Sequence, residues 1–157
     1  MERVSTFAQK LRLATVASGL ANYGKIPFIA SYATFSPGRN NEQIRTTIAL
    51  NNVPVKIVGS HAGLSVGPDG ATHQALEDLA LMRVQPNMTV ISPCDKEEAY
   101  KATLAAAEHP GPVSARARAA LVPKMLTFIA SRAGGANPYC VAVERTALAR
   151  RTLGPGV

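Results

Sequence analysis

The stretch from Pro54 to Pro93, PVKIVGSHAGLSVGPDGATHQALEDLALMRVQPNMTVISP, decides the fold. It opens on Val55-Lys56-Ile57-Val58, an apolar run of β type, and breaks into a loop carrying Gly59, Gly63, Gly67, Pro68 and Gly70. Within that loop stand His61, Asp69 and His73, spaced so that a folded loop can turn all three toward one ligand. Leu76, Leu79, Ala80 and Met82 follow at helical spacing, with Glu77 and Asp78 in the first turn, where the helix dipole favours negative charge. Strand, loop and helix form one unit, and such units hold their ligand at the carboxyl ends of parallel strands.

Upstream, Phe7 to Tyr23 has a broad apolar face at helical spacing, stopped by Asn22 and Gly24, and Ile26 to Ala30 reads as a short buried strand. A helix feeding a buried apolar strand belongs to an α/β sheet. Tyr32 and Phe35 lie at the end of that strand; they either fill core volume or frame a flat ring by stacking. Arg39 to Asn51 continues as a helix with Ile44, Ile48 and Ala49 inward and Arg45 outward. Downstream, Thr89 to Ser92 is a strand and Asp95 caps a helix over Lys96 to His109, whose histidine reads as a helix-terminal or solvated residue.

Composition bounds the rest. A chain of 157 residues, 46% hydrophobic and 17% charged, is large enough to bury a core as one globular domain. No run of eighteen apolar residues occurs and the start has no signal-type apolar segment, so a soluble, cytoplasmic protein with no membrane partner is expected. Cys94 and Cys140 stand far apart without metal-ligand spacing and read as buried thiols. The net charge of +7 sits almost wholly in residues 114–157, with seven basic residues against Glu144, whereas residues 1–113 hold ten basic and nine acidic ones. A basic end without interleaved aromatics offers no stacking platform, so specific nucleic-acid binding is not expected.

The run VKIVGSHAGLSVGPDGATHQALEDLALMRVQPNMTVISPCD, with the upstream GKIPFIASYATFSPGRNNEQIR, resembles the pyrimidine-binding domain of transketolases, especially the separate C-terminal subunit of split transketolases. The resemblance covers roughly Ala17 to Val113, and its G-x-DG-x-THQ core is far more specific than a lone glycine motif. It implies a three-layer, mostly parallel sheet with helices on both faces. It also implies thiamine diphosphate as cofactor, with Mg²⁺ and the diphosphate held by a partner: a diphosphate-binding transketolase subunit or a second copy. The implied activity is transfer of a two-carbon ketol unit between sugar phosphates. Tyr32 and Phe35 would border the pyrimidine, His61 and His73 would contact the ketose or the developing alkoxide, and Asp69 would bind a substrate hydroxyl; otherwise the histidines merely hydrogen-bond the glycine loop.

Two departures from the family pattern accompany the match. The resemblance fades after Val113, which divides the chain into a pyrimidine-binding part, 1–113, shortened at its start, and a diverged basic segment, 114–157, that completes the sheet or is poorly ordered. Arg116 and Arg118 lie near the family's phosphate-contacting arginine without aligning to it. Counting back from Gly19 sets the family's activating glutamate at Lys10, and no acid occurs from Phe7 to Gly19, so impaired turnover is expected. A noncatalytic pairing module is the second reading.

Overall fold

The computed structural model describes residues 2–121, Pro123 and 140–143, the side chains of residues 2–11, 119 and 140–143 excepted. Helix α1 spans Glu2–Asn22, starting five residues before the expected Phe7, and leads to strand β1, Ile26–Tyr32. Helix α2, Asn41–Gln43, widens into π-type winding over Ile44–Ala49, in which Ile44, Ile48 and Ala49 are buried and Arg45 is exposed as the pattern indicated. Strand β2, Lys56–Ser60, leads through the glycine loop to α3, Asp78–Arg83; β3, Thr89–Ile91, leads to α4, Lys96–Glu108, and then β4, Val113–Arg116. The sheet has the order β3-β4-β2-β1-β5, parallel throughout except for β5, Cys140–Val143, which pairs antiparallel to β1 at the edge.

The central strands are apolar because they are covered on both faces, and successive residues point to opposite layers. Phe28, Ala30 and Val58 pack with Ala99, Ala107 and Leu104 of α4; Ile29 and Ile57 pack with Ala14 and Ala17 of α1, Ile44, Ile48 and Met82. The three layers are those of the expected fold class. Helix α4 starts on a reciprocal cap: Asp95 Oδ1 accepts from Glu98 N at 2.8 Å and Glu98 Oε2 accepts from Cys94 N at 2.7 Å. Cys94, read as a buried thiol, is exposed, since it lies in this capping turn outside either apolar layer. The side chain of Cys140 lies outside the described residues.

Lysine in a covered strand is the exception to the pattern. Lys56 is 1% exposed, and its Nζ donates to the carbonyls of His109 and Gly111, both at 2.7 Å. His109, read as helix-terminal or solvated, is indeed the cap that ends α4, and it belongs to this cluster. Its Nδ1 accepts from Gly111 N at 3.0 Å, and its Nε2 lies 3.3 Å from Thr89 Oγ1. The cluster ties the starts of β2, β3 and β4 together at the sheet's amino edge, opposite the glycine loop. Lys56→Met keeps most of the volume and strands two carbonyls that had a charged donor; it should lower unfolding stability by about 2–4 kcal/mol, read from the urea midpoint. An unchanged midpoint would show that the lysine contributes nothing there.

Candidate functional site

Four rings meet at the carboxyl edge of the sheet. Tyr32 is the last residue of β1, and Phe35 lies in the turn behind it. His61 follows β2 directly, and His73 ends a 3₁₀ turn, Gly70–His73, on the glycine loop. The Tyr32 ring stacks on His61 at 4.3 Å between centroids and on Phe35 at 6.2 Å, with interplanar angles of 25° and 15°. His73 stands edge-on to both aromatics, at 5.8 Å from Tyr32 and 5.1 Å from Phe35. Offset and edge-to-face pairs of this kind are worth about 0.5–1.5 kcal/mol each beyond the area they bury. Arg39 adds a cation above the Phe35 face at 4.7 Å, a contact that the sequence did not suggest because Arg39 reads only as a helix start.

The loop carrying the histidines is held shut at its base. Gly63 N donates to Ala75 O at 2.9 Å, and Gln74 Nε2 reaches Leu64 O at 3.0 Å. Beneath it, Ala33, Ala62 and Ala75 form a small buried cluster. Gly63 has φ +87°, a left-handed conformation in which any side chain would be strained, while the Arg116 Nη2 lies at ordinary contact distance, 3.5 Å, from where a Cβ would stand. His61 takes φ +53° without being glycine, a conformation that costs of order 1–3 kcal/mol and persists only where its surroundings impose it.

Asp69 stands apart from the ring cluster in its contacts. It is exposed, and its carbonyl accepts from Thr72 Oγ1 at 3.4 Å, while its carboxylate makes no hydrogen bond or ion pair to the described residues. Lys10 falls on α1, where its side chain lies outside the described residues. Among the described residues no group of three or more His, Cys, Asp or Glu gathers as if around a metal ion, and no helix is long and apolar enough to cross a membrane.

Asp78 stands in the first turn of α3, as expected, and it is also buried, with Oδ2 3.0 Å from Arg116 Nε at the end of β4. Attraction rather than an aligned hydrogen bond joins them, since Arg116 Nε and Asp78 Oδ1 are both buried without a hydrogen-bond partner. The pair spans from β4 to α3 across the loop's base. Burial pushes the Asp78 carboxyl above its ordinary value of 3.8, and the Arg116 charge opposes that push without cancelling it. Leu76, included in the expected helix, precedes α3 and is 65% exposed, whereas Met82 is the residue that enters the core.

Comparison with known proteins bears on residues 12–124, which match the family model described as transketolase, pyrimidine binding domain. The chain is 48% identical over 101 residues to a putative transketolase C-terminal section of Methanocaldococcus jannaschii, covering 64% of this chain and 32% of that protein. It is 36% identical over 108 residues to one of the subunits of an apulose-4-phosphate transketolase of Phocaeicola vulgatus, covering 69% and 35%. A solved structure described as a split gene transketolase in an inactive β4 tetramer superposes with a TM-score of 0.58 at 46% identity, over 69% of this chain and 35% of that one. The chain thus spans about a third of the length of these relatives.

The Asp78 geometry yields a signed expectation. A raised value means that the folded carboxyl holds its proton more tightly than the unfolded one. Its contribution is therefore complete below 3.8 and is lost as pH rises through the folded value. Asp78→Asn removes this dependence, so urea titrations across acid to neutral pH should show the unaltered chain losing stability relative to the variant as pH rises. A difference that grows in favour of the unaltered chain would mean that the Arg116 attraction outweighs burial.

Proposed function

The chain belongs to the transketolase family through its pyrimidine-binding domain, and from that premise we propose that it supplies the pyrimidine half of a thiamine diphosphate site for ketol transfer between sugar phosphates. A separate diphosphate-binding chain would complete the site and hold Mg²⁺. The observation that carries this reading is the ring cluster of Tyr32, Phe35, His61 and His73 at the carboxyl edge of the sheet.

The residues present suit the group. Tyr32 and Phe35 are half-buried, near-parallel rings, which favour a flat heteroaromatic neighbour by stacking and by exclusion of water. When bound, thiamine diphosphate supplies a carbanion-stabilising thiazolium, chemistry that belongs to the cofactor rather than to the chain. The chain's own part is to bind and orient. His61 and His73 carry ring nitrogens that would hydrogen-bond hydroxyls of a ketose. Asp69, its carboxylate unengaged by the described residues, would accept from a further substrate hydroxyl. One relative is described as a C-terminal section and another as a transketolase subunit, which supports a two-chain enzyme here.

Coexpression with a diphosphate-binding transketolase chain and a ketol-transfer assay test the reading, in the unaltered chain and in a Lys10→Glu, Leu11→Gln variant that restores the family's carboxylate. Transfer in either form is the expected result, stronger in the variant; none in both overturns the proposal. In the more active form, His61→Ala, His73→Ala and Asp69→Asn should each reduce turnover or substrate affinity, the histidines by roughly a hundredfold to ten-thousandfold in rate, while thermal midpoints stay near the parent's.

A further inference from the structure

We propose that Ser60 is a positioning residue that holds neutral His61 with its proton on Nδ1, so that Nε2 presents a lone pair to the substrate. Ser60 Oγ lies 3.0 Å from the carbonyl oxygen of Ser31 on the neighbouring strand. A carbonyl only accepts, so this contact uses the single hydroxyl proton of Ser60. What Oγ offers to its other neighbour, His61 Nδ1 at 3.1 Å, is a lone pair, and Nδ1 must therefore be the donor.

Three features make the arrangement specific. Ser60 is 6% exposed, which keeps water from replacing either partner. The left-handed backbone at His61 and the Tyr32 ring stacked on its imidazole at 4.3 Å fix the ring where Nδ1 meets Oγ. No described residue bonds to Nε2, so none of them occupies that nitrogen. His73 lacks this definition: its Nδ1 lies 2.9 Å from Thr72 Oγ1, but Thr72 is exposed and reaches Asp69 O only at 3.4 Å, where water competes.

The consequence is a division of labour. His61 accepts a hydrogen bond from a substrate hydroxyl and cannot, in its neutral form, donate one from Nε2. This assignment rests on the ketol-transfer reading only for what Nε2 meets; the proton's location in the free chain is independent of it.

Nitrogen-resolved NMR of the ¹⁵N-labelled chain, at a pH where the imidazole is neutral, reads the location directly. The expected spectrum has a pyrrole-type Nδ1 and a pyridine-type Nε2 for His61. Ser60→Ala should move His61 toward the Nε2–H form that exposed imidazoles favour, and Ser60→Thr, which keeps the hydroxyl, should restore the parent pattern. In the complex, turnover should fall with Ser60→Ala and recover with Ser60→Thr. A pyridine-type Nδ1 in the unaltered chain overturns the proposal, whether or not the variants fold, as does an unchanged pattern in Ser60→Ala. Absence of ketol transfer with the expected spectrum would instead count against the functional reading alone.

Discussion

The carboxyl edge of the sheet depends on the close approach of the Ala33–Pro37 turn to Gly59 near the end of β2. A Cβ at Gly59 would stand 3.3 Å from both Ala33 Cβ and Pro37 Cδ and 3.4 Å from Ser36 O, tighter than side chains normally tolerate. Without a side chain there, the turn lies flat against β2, anchored by Ala33 N donating to Ser60 O at 2.7 Å. That contact brings the aromatics that follow β1 against the histidine that follows β2. The ring cluster, the loop closure at Gly63 and Ala75, and the ion pair across the loop's base all follow from having those two strand ends side by side.

The two edges of the sheet differ in how well their polar groups are satisfied. The amino edge of the sheet satisfies the buried amine of Lys56 with two short hydrogen bonds to carbonyls. The carboxyl edge instead carries a left-handed histidine, a carboxylate whose burial outweighs its counter-charge, and an Asp69 carboxylate with no partner among the described residues. Strain and unsatisfied polar groups gather at working sites because the surrounding sheet can impose them, and the three-layer core supplies that rigidity.

Much of this was legible in the chain itself. The apolar runs before Gly59 and after Gly24 mark central strands, and Asp95 marks a helix start that forms as expected. The glycine loop and its ring-bearing residues are legible by composition, and the structure brings Tyr32, Phe35, His61 and His73 within contact while leaving Asp69 outside those contacts. What escaped depends on long-range pairing. Lys56 looks like the polar break of an alternating strand, and only the carbonyls of residues fifty or more positions away explain its burial. Asp78 looks only like a helix-start acid because its partner, Arg116, lies far along the chain on another element. Ser60 carries no motif at all; its part depends on the carbonyl of a neighbouring strand.

The central claim is that this edge is one half of a cofactor site, strong in ring contacts and lacking the diphosphate anchor. Calorimetric titration of thiamine diphosphate with Mg²⁺, first into this chain alone and then into its complex with a diphosphate-binding chain, tests it most directly. Phosphate charge and the metal normally supply the anchoring, so weak binding to the chain alone and tight binding to the complex are predicted. Tight, Mg²⁺-dependent binding by the isolated chain would contradict the account.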